Sequence, residues 1–213
     1  MVYQSSQVVL NMLVKKAETA VAIHDLIAQR WSPRALDPNK FITLDQTTAL
    51  LEAARWSPSC FGAEPWRYVL CDRQRSASAW RKALDCLAPA NQVWAQHAPL
   101  FLIATAVNDF SHNQQPNRWA QYDTGAACEN ICLQAVALGL VAHQMGGFDP
   151  QQIKQAFELP DDVTVMSVIA VGYQASATAL DEALREREEA PRQRKSLAEI
   201  AFDGHWRVPF TPK

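Results

Sequence analysis

A domain in which helices cover both faces of a buried β-sheet is predicted by three stretches of this 213-residue sequence. Leu100–Val107 is a nearly continuous apolar run of strand length, the pattern of a central strand that meets water on neither face. Met166–Tyr173 is a second such run. Between them, Tyr122–His143 reads as the longest helix. Gly125, Ala126, Ala127, Cys128, Cys132, Ala135, Ala137 and Gly139 keep it slim, while Ile131, Leu133, Val136, Leu138 and Leu140 spread apolar groups around it. A helix apolar on most sides is buried on most sides, which in a chain this short favours sharing it with a partner subunit.

The remaining elements follow in order. Residues 6–30 carry Val8, Val9, Met12, Leu13, Val21, Ile23, Leu26 and Ile27 at near-helical spacing. Pro33 disfavours helical geometry at Ser32, so this helix is expected to stop near Arg30. Thr43 with Gln46 three residues later forms a capping-box pattern for a helix that runs to Arg55. Ser57–Trp66 holds two prolines and a glycine and reads as a loop of unusual backbone path. A strand over 67–72 and a helix from Ser76 to Leu87 come next. Residues 108–119 form a long polar loop, of a kind more often functional than idle. Gln144–Phe148 turns sharply, and Asp149–Pro150 caps a short helix, with Gln152 at the capping-box position. Asp181–Glu189 is a charge run expected to be a solvated face. The tail from Pro191 is too rich in Leu197, Ile200, Phe202, Trp206 and Phe210 to be disordered by composition.

Composition narrows the function. A hydrophobic fraction of 48%, a charged fraction of 20% and a net charge of −2 are those of an ordinary globular protein. They offer no basic field for nucleic acid or an anionic membrane. The apolar start at Val8-Val9-Leu10 is soon interrupted by Asn11, Lys15 and Lys16, so neither a signal peptide nor a membrane span is expected. Five scattered cysteines point to reduced thiols and a cytoplasmic setting. No metal is expected, because the histidines show no HExxH or comparable spacing. The absence of GxGxxG after a strand and of a P-loop leaves neither a dinucleotide fold nor nucleotide hydrolysis supported.

Several groupings could carry chemistry. Arg30 and Arg34 flank Ser32, and Arg192 and Arg194 lie near the end. Two arginine pairs meeting in space would suit a phosphate dianion, since the guanidinium fork binds its oxygens bidentately. Alternatively, each pair lies on the surface in weak ion pairs. Gly146-Gly147 is either a helix C-cap or a backbone bare enough for its N–H groups to approach a flat heteroaromatic ring. Cys60 as a nucleophile with His97 or His143 as base has no supporting sequence context. Cys128 and Cys132 share a helix face but read as packing.

The order of Arg30-Trp31-Ser32-Pro33-Arg34, Ser57-Pro58-Ser59 through Pro65-Trp66, Gly125–Gly139, Gly146-Gly147-Phe148-Asp149 and Arg192-Gln193-Arg194 resembles the FMN-dependent nitroreductases over roughly residues 24–200. The resemblance implies an α+β, three-layer fold with a central mixed β-sheet flanked by helices. It further implies an intertwined homodimer with FMN at the interface. Residues 1–23 would be an N-terminal helical extension, and residues 201–213 a C-terminal extension packed on the partner subunit. Arg30, Ser32 and Arg34 would anchor the phosphate and pyrimidine side, with Arg192 and Arg194 closing on the phosphate. Pro58, Ser59, Cys60 and Gly62 would line the isoalloxazine from the partner subunit, and Asn91 would reach its polar edge. Met145 would adjoin the ring, and the N–H groups of Gly146 and Gly147 would face its N5 and O4. Phe61, Phe110, Trp119 and Tyr122 are candidates to stack on an acceptor, or ordinary packing residues.

The implied activity is ping-pong transfer from NAD(P)H through the flavin to a small-molecule acceptor, a nitroaromatic or quinone. Alternatives are dehalogenation or dehydrogenation of a natural metabolite on the same fold, or a non-catalytic flavin-binding module. Three departures stand out: Gly62 where relatives often carry Asn, Glu64 where they carry Gln, and Trp94 where they carry a basic residue.

Overall fold

The computed structural model describes residues 13–211. Four strands, β1 (Trp66–Asp72), β2 (Leu100–Val107), β3 (Val141–Met145) and β4 (Val163–Gly172), form one sheet in the order β1-β2-β4-β3. Leu100 of β2 faces Val171 of β4 on one side and Asp72 of β1 on the other. All three pairings are antiparallel, so within the described residues the sheet is not the mixed one expected. The reason lies in the connections. β2 and β3 both run antiparallel to β4, hence parallel to each other, and β4 is slotted between them. The long helix thus makes a split crossover, and no two parallel strands become neighbours.

Helices cover both faces. Leu100, Leu102 and Ala104 of β2, with Ile169 and Val171 of β4, pack with α2 (Leu44–Arg55) and α5 (Ala120–Ala137). Phe101 and Ile103, with Val168 and Ala170, pack with α3 (Ala77–Asp85), α4 (Pro89–Ala95) and α6 (Pro150–Ala156). Period-two alternation on strands apolar throughout therefore supplies two cores, as the uninterrupted runs predict. The capping box of α2 is complete: the Thr43 hydroxyl accepts the Gln46 N–H at 3.1 Å, and the Gln46 side chain accepts the Thr43 N–H at 3.0 Å. Asp149 caps α6 through the Gln152 N–H at 2.9 Å.

Three sequence expectations need correction. First, the helix expected over 6–30 is only α1 (Asp25–Gln29), which ends at Arg30 as Pro33 requires. Residues 13–24 are not helical, and 6–12 lie outside the described residues. Distant partners take this segment's polar groups instead: Gln174 donates to the Leu13 carbonyl, Arg192 to that of Lys15, and the Ala17 N–H donates to Ala28. Val21 and Ile23, counted in the helical pattern, are exposed, as is Val14. The N-terminal extension is accordingly not helical over 13–23.

Second, the long helix does not reach His143. Gly139 sits at φ +70°, the Leu140 N–H turns back to the Ala135 carbonyl, and the chain enters β3. Third, the charge run is α7 (Glu182–Glu189), and Glu188 within it is buried rather than solvated. The short helix α4, which carries Asn91, was not expected at all; Pro89 at its first turn marks its start.

Two surfaces are left apolar. α5 buries Ala120, Ala127, Cys128, Ile131, Cys132 and Ala135, while Tyr122, Gly125 and Ala137 on its other side are exposed. After α8 (Leu197–Ile200) the tail closes on itself, with Phe202 bridged to Pro209 and the Phe210 N–H bonded to the Ala201 carbonyl. Leu197, Ile200, Trp206, Val208 and Phe210 remain exposed.

Candidate functional site

Arg30, Ser32 and Arg34 follow α1 on extended backbone. Arg30 Nε lies 3.2 Å from Glu129 Oε1 on α5. The Pro33 carbonyl accepts from His143 Nδ1 at 3.1 Å, which fixes the proton on that nitrogen. His143 also stacks on the buried Trp94, ring centroids 4.5 Å apart. Burial lowers the His143 pKa from 6.5 to about 4, with the Arg34 and Arg30 charges acting in the same direction. The next two backbone N–H groups, of Arg34 and Ala35, donate to Glu188 Oε1 at 2.8 and 3.1 Å. Trp94, a core residue here, is thus the floor under this segment.

Of the C-terminal arginines, Arg192 comes to this segment, while Arg194 is exposed and donates to the neighbouring Gln193 carbonyl at 2.7 Å. Arg192 Nη1 donates to the Lys15 and Ala28 carbonyls at 2.8 and 2.9 Å. Its pKa is held down first by burial, then by the charges of Arg30 and Arg194. Lys15 donates to the Glu188 carbonyl at 2.7 Å and lies 4.8 Å from the Trp31 ring centroid. Burial lowers its pKa; Glu188 opposes the shift, and Arg192 and Arg34 add to it. Arg34 is lowered by burial and Arg187, against Glu188. These cations repel one another, and Glu129 and Glu188 offset only part of the charge. A bound anion would relieve the repulsion.

β3, which carries His143, continues into a turn. Met145 is buried, and its carbonyl accepts from Ser167 Oγ at 3.2 Å. The Gly147 carbonyl accepts from the Ala88 N–H and from Asn91 Nδ2, both at 2.9 Å. A Cβ added at Gly147 would stand 2.7 Å from Asn91 Nδ2, whereas at Gly146 it would meet nothing within 4 Å. Among the described residues the N–H groups of Gly146 and Gly147 donate to no backbone acceptor. The glycine pair is therefore a strand-to-helix turn rather than a helix C-cap.

The Ser57–Trp66 loop is fastened to α5. Asn130 donates to Ser57 Oγ at 2.7 Å, and the Cys60 N–H donates to Asp123 Oδ2 at 2.9 Å. Ser59 Oγ accepts the Glu64 N–H at 3.0 Å, and Pro58 is exposed. Cys60–Gly62 forms a single 3₁₀ turn in which Phe61 and Gly62 have φ of 53° and 62°. Phe61 is 87% exposed and meets Phe110 edge-on at 6.0 Å, with His112 next to both rings. Trp119 and Tyr122 form a separate edge-on pair at 6.2 Å.

Sequence-predicted residues thus fall into two groups, with Trp119 and Tyr122 paired apart from both. Arg30, Ser32 and Arg34 lie on the segment that Pro33 joins to His143 of β3, the strand that leads into the turn Met145, Gly146, Gly147 and Asn91 share; Arg192 meets the Ala28 and Lys15 carbonyls, and the exposed Arg194 donates to the neighbouring Gln193 carbonyl. Pro58, Ser59, Cys60, Gly62, Phe61 and Phe110 form the other group. Among the described residues no hydrogen bond, ion pair or ring contact joins the two groups, although α5 anchors both, through Glu129 and through Asp123 with Asn130. The described contacts of Cys60 include no histidine, and His143 is engaged by Pro33 and Trp94, so the hydrolase pairing is not assembled. Sequence reasoning missed Lys15, Asp123, Glu129 and Glu188. Leu184, packed against the core four residues before Glu188, marks that helix face and was the available signal.

The fold defines an α+β protein whose edge strand β3 holds an arginine-bearing segment through His143 and leads into a bare glycine turn. The chain belongs to the nitroreductase family, whose model matches residues 27–173. A solved structure described as "the oxidoreductase containing FMN" is 31% identical with a TM-score of 0.83, covering 92% of this chain and 96% of that one. A 15.4 kDa protein in the ask 5'region of Mycolicibacterium smegmatis is 37% identical over 114 residues, 54% of this chain and 76% of its own. The oxygen-insensitive NAD(P)H nitroreductase of Salmonella typhimurium is 22% identical over 185 residues, 68% of this chain and 85% of its own.

Proposed function

We propose that this protein is an FMN-dependent oxidoreductase that takes electrons from NAD(P)H and passes them to a nitroaromatic, quinone or similar acceptor. The observation that carries the reading is the partly uncompensated positive charge of Lys15, Arg30, Arg34 and Arg192, around a segment that His143 of β3 joins to the sheet just before the Gly146-Gly147 turn. An FMN fits this chemistry at both ends. Guanidinium forks match a phosphate dianion, and free backbone N–H groups match the acceptor edge of a flavin ring. The likeness to an FMN-containing oxidoreductase over 92% of the chain supports the same reading.

In this reading Arg30, Arg34, Arg192 and Arg194 bind the phosphate, with Ser32 beside them. Gly146 and Gly147 donate to the ring's polar edge, with Met145 behind them and Asn91 bracing the turn. Pro58, Ser59, Cys60 and Gly62 of a second copy close over the ring. Phe61, Phe110, Trp119 and Tyr122 form an apolar rim that orients a flat acceptor and excludes water. When bound, the flavin supplies the redox chemistry, accepting a hydride from NAD(P)H and reducing the acceptor in a second, ping-pong half-reaction.

A homodimer is part of the proposal. The apolar outer side of α5 and the exposed tail residues supply the surface that a second copy would cover. Residues 24–200 then form the cofactor-binding domain, residues 13–23 a strap across it, and 201–213 an arm onto the partner. All five cysteines are free, and no described helix is long and apolar enough to cross a membrane; a cytoplasmic location suits the thiols.

Colour tests the reading. Purified protein is expected to be yellow, to bleach anaerobically with NADH or NADPH, and to recover on adding a quinone. Parallel double-reciprocal lines would bear out the ping-pong order. Protein that neither carries nor takes up FMN would sink the proposal, and a yellow protein that no nicotinamide reduces would favour a binding module.

A further inference from the structure

Glu188 stands in a charge run, yet its side chain is 1% exposed. Oε1 accepts the N–H groups of Arg34 and Ala35 at 2.8 and 3.1 Å. Oε2 is buried without a hydrogen-bond partner, 3.7 Å from Arg34 Nη1. The backbone carbonyl of Glu188 accepts from Lys15 Nζ at 2.7 Å. Four residues later, Arg192 reaches back to the Lys15 and Ala28 carbonyls. One residue therefore ties together the Arg30–Arg34 segment, the N-terminal strap and the start of the Arg192–Arg194 segment.

Energetics argue that this is more than packing. A buried carboxylate is expensive unless each oxygen is paired, and an apolar side chain of similar size commonly serves stability as well or better. Here one oxygen is left half-served beside a guanidinium. We propose that Glu188 is a positioning residue for the phosphate-binding arginines. It aims Arg34 by holding the backbone at 34–35, and its charge faces Lys15, whose carbonyl takes Arg192. The proposal rests on the FMN reading above. It also predicts a sign. By charge alone Glu188 would repel a phosphate dianion, so its removal would tighten binding; by positioning, removal weakens it.

The test compares FMN with riboflavin, which has the same ring and no phosphate, by fluorescence titration of full-length apoprotein. In Glu188→Ala the preference for FMN over riboflavin is expected to fall at least tenfold, with riboflavin affinity within about twofold of wild type. Glu188→Gln keeps a carbonyl acceptor for both N–H groups and is expected to restore the preference to within threefold. If Glu188→Ala shows no cooperative melt, Glu188→Asp replaces it: the charge stays, the reach shortens by one methylene, and the same loss is expected. An unchanged or increased FMN preference in the folded variant would overturn the proposal. Wild-type protein that binds neither flavin would sink the cofactor reading itself, and this proposal with it.

Discussion

His143 joins the sheet to the arginine segment: its ring lies 4.5 Å from that of Trp94, and its Nδ1–H donates to the Pro33 carbonyl at 3.1 Å. Its folded pKa of about 4 lies below the ordinary 6.5 because burial disfavours the cation. The unfolded chain therefore binds more protons between these values, and the stabilisation present above pH 6.5 is lost as pH falls toward 4. The expected loss is on the order of 2 kcal/mol. Urea unfolding at pH 7.5 and pH 5 would show it. His143→Phe, which keeps the stacking, is expected to flatten the slope; an equally steep slope in the variant would place the titration elsewhere.

Gly146 and Gly147 are expected to respond differently to the same substitution. Gly147→Ala brings a Cβ to 2.7 Å from Asn91 Nδ2 and displaces the amide from the Gly147 carbonyl. Losing that hydrogen bond costs about 1 kcal/mol and disturbs the turn that would face the flavin. Gly146→Ala enters open space. Thermal melts of the two apoproteins measure the difference; equal midpoints would contradict it.

Phe61 holds φ of 53° while 87% exposed, so its ring gains little from burial and its backbone is strained. Relieving the left-handed conformation with glycine is worth about 1 kcal/mol. Phe61→Gly is therefore expected to raise the melting temperature and to lower kcat/KM for aromatic acceptors several-fold, with reduction by NAD(P)H little changed. A variant that is less stable, or that turns over acceptors unchanged, would refute the assignment.

Asp123 is buried, and its carboxylate takes the Cys60 N–H at 2.9 Å. Asp123→Ala leaves that N–H without its partner, a cost of roughly 1–3 kcal/mol. Limited proteolysis is expected to cut near residue 60 faster in the variant; an unchanged digestion pattern would mean that Ser57–Asn130 alone secures the loop.

α8 and the tail beyond it are expected to bury their apolar side chains on a second copy. The double variant Ile200→Ser, Trp206→Ser alters residues that are 61% and 79% exposed, so the isolated fold loses little. In sedimentation velocity the wild type is expected to run as a dimer, and the variant to dissociate at least tenfold more readily. A monomeric wild type would remove the basis for the shared interface.

The sheet's central strands, the cap of α2, the end of α1 and the polar loop at 108–119 were legible in the chain because each is written locally. An apolar run, a Thr with a Gln three residues on, or a proline after an arginine acts over a few residues. So was the order of candidate site segments. Tertiary structure alone decided the rest. The helical period past Gly139 looked continuous, but a left-handed glycine ended it and handed His143 to the sheet. Residues 13–23 were spaced like a helix, yet they are not helical, and bonds to Gln174, Glu188 and Arg192, more than 150 positions away, take their polar groups. Glu188 was one acid among several until the fold turned its side of α7 inward. Burial and long-range hydrogen bonding have no local spelling, and they are what join Arg34 and Arg192 to Glu188 and Lys15.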